Sequence, residues 1–220
     1  MLRDGLVQAE GAERESRSHV TSLPRLVERV LADAGLTVGD VEAVAISIGP
    51  GSFTGLRVGL GFAKGLVLGG GLRLIAVPTL EALAWVADAT PGETICAVLD
   101  ARKREVYAAL FASTPAGPRR LTPDLALAPD ALAARLTPPC VLVGDASEAY
   151  ADALGARATI RPFATHHPRG GVVARLGWER LSGGDVADPG TLEPVYVRPP
   201  DAALPRPPVA RSAAPGSPSR

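Results

Sequence analysis

The 220-residue sequence contains no apolar run long enough to cross a bilayer and no stretch that reads as a signal peptide, so a soluble, cytoplasmic protein is expected. It also lacks a charge of one sign: 23 basic and 23 acidic residues leave a formal net charge of zero and a pI near 6.8. Affinity for nucleic acid comes mainly from neutralising phosphates, so this chain is not expected to bind nucleic acid strongly by itself. Lys64 and Lys103 are the only lysines, which reads as a genome that favours arginine. The two cysteines, Cys96 and Cys140, lie far apart in apolar, strand-like runs without a CxxC, so buried reduced thiols are expected rather than a disulfide or a zinc site. Histidine is scarce too. His19 has no second histidine four residues on, and the adjacent His166 and His167 would point apart on most backbones, so no metal pair is expected. There is no GxSxG elbow and no HExxH, and no nucleophile, base and orienting acid fall together along the chain.

What the sequence does have is a strand, a glycine turn and a helix between residues 44 and 69. Val44 to Ile48 read as a buried strand, Gly49-Pro50-Gly51 as a turn, and Ser52 or Thr54 as the cap of the helix that follows. Such a junction aims backbone N–H groups and a helix dipole at one point, which raises the question of a phosphate. The spacing fits neither a P-loop nor a dinucleotide fingerprint, because Gly55 is followed by Leu56 and Arg57 rather than by Lys and Ser or Thr. A tight connection is the plainer reading of Gly49, Pro50, Gly51, Ser52, Phe53, Thr54 and Gly55. The helix itself is odder. Gly59, Gly61 and Gly65 in its interior should cost roughly 3 kcal/mol of intrinsic stability relative to Ala. Gly55, Gly59 and Ala63 recur every four residues, as do Gly61, Gly65 and Gly69, so two stripes carry no bulk. The residues alone leave two readings open: close packing on elements of the same domain, or a partner protein on one stripe.

Residues 2 to 12 carry a hairpin signal at Asp4-Gly5 with an alternating strand after it. Residues 18 to 35 read as an amphipathic helix capped by Ser18 or Ser22, with Pro24 in its first turn if Ser22 is the cap, and stopped by Gly35. Further on come a strand at Leu74 to Val77, a short helix from Leu80 to Val86, and two strands, Thr94 to Asp100 and Glu105 to Phe111, around a basic tip. Asp100 beside Arg102 is read as an ion pair at a turn rather than a catalytic carboxylate. Residues 113 to 139 give only a helix at 129 to 136; a strand at 141 to 143, helices near 147 to 154 and 170 to 181, and an extended segment from Thr191 to Arg198 complete the chain. The final 22 residues, seven of them proline, are expected to be disordered.

Four ordered blocks carry a resemblance. They are Gly49 to Gly59 with Ala63-Lys64-Gly65, Pro78 to Leu83, Val98 to Arg102 with Glu105-Val106-Tyr107, and Glu193 to Pro199. Together they resemble the bacterial TsaB family over roughly residues 2 to 203. The resemblance implies an α/β, actin/Hsp70-like ATPase (RNase H-like) fold with two related halves, here 1–90 and 91–198, followed by the 199–220 tail. It implies a non-catalytic subunit that pairs with the related TsaD, and with TsaE, to place threonylcarbamoyl from an adenylate donor on N6 of adenosine 37 of tRNA. Metal and chemistry would reside in TsaD, tRNA would be held mainly elsewhere in the complex, and a homodimer would form without TsaD. No resident cofactor is implied, and ATP or ADP at the subunit boundary stays open.

By the same resemblance, the partner interface would use Leu23, Leu26, Val27, Val30 and Leu31 of the first helix and Arg57, Gly59, Leu60 and Ala63 of the second. Family members open with a central strand and a second strand leading into the Asp-Gly turn. This chain starts at the turn, so its first strand and most of its second are expected to be missing and the true start to lie upstream. Two other readings stand: an ATP-dependent, kinase-like enzyme of the same fold, and a peptidase, for which the residues offer no catalytic set.

Overall fold

Alternating apolar residues build two main sheets of unequal size, beside a small β1–β2 hairpin, seen in a computed structural model that describes residues 1–13 and 19–198. The elements in chain order are β1 (Leu2–Arg3), β2 (Leu6–Val7), α1 (His19–Asp33), β3 (Ala43–Ser47), α2 (Phe53–Gly70), β4 (Arg73–Val77) and α3 (Thr79–Ala84). They continue with β5 (Thr94–Arg102), β6 (Glu105–Thr114), β7 (Gly117–Arg120), β8 (Leu125–Leu127), α4 (Pro129–Ala133), β9 (Cys140–Val143), α5 (Asp145–Ala149), α6 (Ala151–Leu154), β10 (Thr159–Ile160) and α7 (Gly170–Ser182). The proposed cap Ser18 and the proline-rich stretch 199–220 lie outside the described residues.

The smaller sheet is β3 paired in parallel with β4, in register from Ala43 opposite Arg73 to Ser47 opposite Val77. Because strand side chains alternate, Val44 and Ile46 meet Leu60, Ala63 and Val67 of α2, while Ala45 belongs to the cluster of Val77 and Leu176 on the opposite face. Among the described residues no strand pairs with the outer edge of β3. Both helices end on a left-handed glycine, at Gly35 as the sequence indicates and at Gly71, which it did not single out. Gly35 at φ 67° closes α1 with Leu36 N–H donating to Leu31 C=O, and Gly71 at φ 65° closes α2 with Leu72 N–H donating to Val67 C=O. The start of α1 differs. It begins at His19, so Ser22 lies inside it and Pro24 stands in the helix body rather than in its first turn. The Asp4-Gly5 turn forms, at φ 51° and 77°, and pairs Leu2 with Val7.

The larger sheet runs in the order β10, β9, β5, β6, β7, with β8 beside β7 on the same edge of β6. Strands β10 and β5 are parallel to β9, and β6 is antiparallel to β5. One face buries Ile95, Phe111, Val141 and Val143 against Leu80 and Leu83 of α3. The other buries Val98, Val106 and Leu142 against Leu132 and Leu154 of α4 and α6. Sequence reading missed β7 and β8. They are four and three residues long, and Gly117-Pro118 of β7 has the composition of a loop; glycine is needed at 117 because the ring of Trp85 occupies the space a side chain would take.

The two sheets are joined by helices that cross between them. α3 turns Leu80 and Leu83 to the larger sheet and Ala82 toward Leu176 of α7. α7 comes after the larger sheet in sequence but packs on β3 and β4, with Gly177 directly against Ala45. Arg180 of α7 holds Glu81 of α3 through two hydrogen bonds at 2.8 and 3.0 Å.

Cys96 and Cys140 are free and buried on neighbouring strands. Burial pushes the Cys96 thiol well above its usual range and Cys140 up to about 11. A thiolate-selective reagent at pH 8 should therefore label neither residue in the native protein and both in denaturant, as mass spectrometry would show; rapid native labelling would contradict the buried placement.

A glycine loop, a strap and an open helix face

The loop between β3 and α2 is fastened on both sides. Gly49, at φ 116° before a cis bond to Pro50, donates its N–H to Thr79 Oγ1 at 3.1 Å and accepts from Thr79 N–H at 2.8 Å. Ser52 caps α2, its Oγ accepting from Gly55 N–H at 3.3 Å, so the cap is Ser52 and not Thr54. Gly51 and Thr54 are exposed.

Residues 193–198 cross this loop as a strap. Val195 N–H donates to Ile48 C=O at 2.8 Å, and the Val195 carbonyl comes so close that a Cβ on Gly49 would lie 2.6 Å from it. Only glycine fits there, both for that approach and for its φ. Tyr196 then meets α2: its hydroxyl accepts from Arg57 Nε at 2.9 Å, its ring lies 5.3 Å from that of Phe53, and the Arg57 guanidinium sits 4.0 Å over the Phe53 ring. Arg198 next holds Glu105 of β6 at 2.7 Å. The strap thus ties β3, the first turn of α2 and the β5–β6 hairpin together, a linkage that the sequence showed only as an extended segment.

Beneath the strap is a groove of about 480 Å³ lined by Gly49, Pro78, Arg120, Asp124, Val195 and Val197. The Arg120 guanidinium is neutralised by Asp124 at 2.6 Å and rests 4.8 Å over Phe111. Its charge is already satisfied within the fold, which leaves the groove without an uncommitted cation for a phosphate. Asp100 behaves as the ion-pair reading expects, accepting from Arg102 N–H at 2.8 Å and pairing with its guanidinium at 3.2 Å. Among the described residues no three histidine, cysteine or carboxylate side chains gather where they could hold a metal ion.

The two small-residue stripes of α2 have different surroundings. Gly59 faces Ile46 of β3, and Leu60 and Ala63 are buried in the cluster around Leu74. Opposite them, a Cβ on Gly61, Gly65 or Gly69 would meet nothing within 4 Å, and Leu68 is 75% exposed. On α1, Leu23, Leu26, Val27 and Val30 are half-buried and Leu31 is buried; Leu26 and Val30 lie under Gly11. Of the nine residues assigned to the interface, then, Leu31, Gly59, Leu60 and Ala63 are occupied by the chain's own fold, and Arg57 by Phe53 and Tyr196. The open surface runs through Gly61, Gly65, Leu68 and Gly69.

Comparison with known proteins gives the relationship. A family model described as TsaD, tRNA N6-adenosine threonylcarbamoyltransferase, matches residues 12–116. The tRNA threonylcarbamoyladenosine biosynthesis protein TsaB of Bacillus subtilis is 30% identical over 205 residues, 90% of this chain and 87% of the relative. The chain belongs to the TsaB family. The TsaB protein of Haemophilus influenzae is 41% identical over 96 residues, a stretch covering 43% of this chain and 41% of the relative, so the match spans less than half of that protein's length. The solved structure of YeaZ from Pseudomonas aeruginosa superposes with a TM-score of 0.73 at 25% identity, over 84% of this chain and 86% of that one. The α/β architecture of this TsaB-family chain is the actin/Hsp70-like ATPase fold.

Proposed function

We propose that the chain is a non-catalytic subunit in tRNA threonylcarbamoyladenosine biosynthesis that pairs through α1 and α2 with a TsaD-type subunit. The observation that carries this is the open stripe of α2. Gly61 and Gly65 together cost the helix roughly 2 kcal/mol relative to Ala, and among the described residues nothing lies within 4 Å of where their side chains would begin. Glycines that cost stability and face empty space are accounted for by a second backbone lying close along the helix. An interface of about 800 Å² per partner would offset that cost several times over.

The names of the relatives support the pathway, and the match of the TsaD family to residues 12–116 supports a partner of related fold. Two related chains can meet helix pair against helix pair, in the manner of an isologous dimer. The same face would serve a homodimer when TsaD is absent. TsaE is expected to join the assembled pair.

The test is light scattering on a size-exclusion column, with this chain mixed at about 10 μM with TsaD from the same organism, above the micromolar-to-picomolar Kd range that interfaces of standard size cover. A single peak with the summed mass is expected, together with tRNA modification that requires both proteins. Two separate peaks, or modification by either protein alone, would overturn the proposal.

A further inference from the structure

Arg57 heads the open stripe of α2. With Gly61, Gly65 and Gly69 it recurs every four residues, so it stands on the same face of the helix, one turn nearer the N-terminus. α2 contains no acidic residue, and its other charge, Lys64, lies in the field of Asp188.

The surroundings of Arg57 hold its guanidinium without cancelling its charge. Nε donates to the Tyr196 hydroxyl at 2.9 Å, and the guanidinium lies 4.0 Å from the ring centre of Phe53 and 5.9 Å from that of Tyr196. These partners are neutral, and among the described residues no carboxylate pairs with Arg57. Arg73, Arg120, Arg180 and Arg198 differ in this respect, since each holds a carboxylate at 2.6 to 2.8 Å. With Nε committed, the N–H groups on the two Nη nitrogens of this exposed side chain remain to be used. That edge of a guanidinium matches the two oxygens of a carboxylate, and the ring stack supplies in the free chain the ordering that a loose arginine would undergo only on binding.

We propose that Arg57 is an anchor for a carboxylate of the partner subunit, an Asp or Glu on the surface that lies along α2, and that Phe53 and Tyr196 position it. The inference rests on the pairing reading above and names the chemistry of the partner at one end of the shared face. A single uncompensated cation beside a close helix contact is suited to one specific ion pair, whereas a polyanion is held by many cations together. Tyr196 acts through Arg57, so the strap takes part in the pairing from outside the helices that make it.

The test is calorimetric titration of this chain into TsaD from the same organism at several salt concentrations, after the melting temperature of each variant has been read. Arg57→Gln should pair about 10-fold more weakly near 0.1 M salt and with a shallower salt dependence, because a charge-assisted contact is lost. Arg57→Glu should weaken pairing further and reverse its sign of response, so that added salt improves affinity. Tyr196→Phe keeps the ring and removes the acceptor of Nε; it should weaken pairing by a few fold and leave the salt dependence as in the wild type. Arg73→Gln, which removes a charge outside α2, should pair as the wild type does. Unchanged pairing in Arg57→Gln, or a loss no greater than that in Arg73→Gln, would overturn the proposal. Weaker pairing with an unaltered salt dependence in both Arg57 variants would also overturn it, by assigning the side chain to packing alone. Failure of the wild-type chains to pair would remove the pairing reading itself, and that outcome is seen before any variant is compared.

Discussion

Replacing Gly61 and Gly65 with glutamine should make the isolated chain more stable and abolish its pairing with TsaD. Each substitution takes an exposed helix interior from glycine to a good helix former, a gain of about 0.8 kcal/mol per site. A Cβ at either position meets nothing within 4 Å among the described residues, so none of them opposes it. For a protein of this size the two together should raise the melting temperature by roughly 3–6 °C. Against a partner the same side chains hold two helices apart, and the affinity should fall by about 100-fold or more, since bulk at the centre of a packed interface removes its close contacts. Opposite signs in the two measurements are the useful part. A destabilised chain would mean that the stripe packs on its own fold, and undiminished pairing would place the interface elsewhere. Glutamine rather than leucine keeps the variant from creating an apolar patch beside Leu68.

The second large effect is expected inside the fold, at Gly177. A Cβ there would collide with the Cβ of Ala45, because α7 lies directly on β3 at this point. Gly177→Leu should cost roughly 3 kcal/mol or more through overpacking, although leucine is the better helix former by about 0.8 kcal/mol. The damage should be regional. α7 would lift from β3 and β4, whereas the clusters around Phe111 and Leu142 use other helices. Hydrogen exchange followed by mass spectrometry should then show lost protection in β3, β4 and α2 and retained protection in β5, β6 and β9. The milder Gly177→Ala should be largely rescued by Ala45→Gly, which removes the opposing Cβ. Equal loss of protection in both sheets would mean that they unfold as one unit, and absence of rescue would place the clash elsewhere.

Both predictions concern glycines of helices that were legible in the sequence, and they show where that legibility stops. The strand, turn and helix at 44–69 could be read because β-branched residues, a Gly-Pro-Gly and a capping serine act over a few neighbours. The Gly61, Gly65 and Gly69 stripe was visible as spacing, but its surroundings were not, since helical periodicity does not say which face meets a sheet. The same limit placed Leu60 and Ala63 at the interface when they are buried under Leu74. Gly177 gave no signal at all: its partner Ala45 is remote in sequence and alanine is unremarkable in a strand. The strap at 193–198 read only as extended because its bonds go to Ile48, Arg57 and Glu105, each contributed by a different part of the chain. β7 was lost for a local reason, the composition of Gly117-Pro118, and β8 because three residues are too few to show an alternating pattern.

The order in which elements leave the ribosome gives the α7 and strap contacts a further meaning. The larger sheet and its helices are contiguous from residue 79 to residue 160, so that unit can assemble while the chain is still being made. The smaller sheet cannot. β3 and β4 emerge early, yet the face bearing Ala45 stays uncovered until residues 170–182 arrive, and the loop at Gly49 is latched only when Val195 is in place. Until then that apolar face is open to other chains. The β3–β4 unit is therefore the part most open to misassociation during synthesis, and the arrival of α7 and of Val195 is the event that covers it.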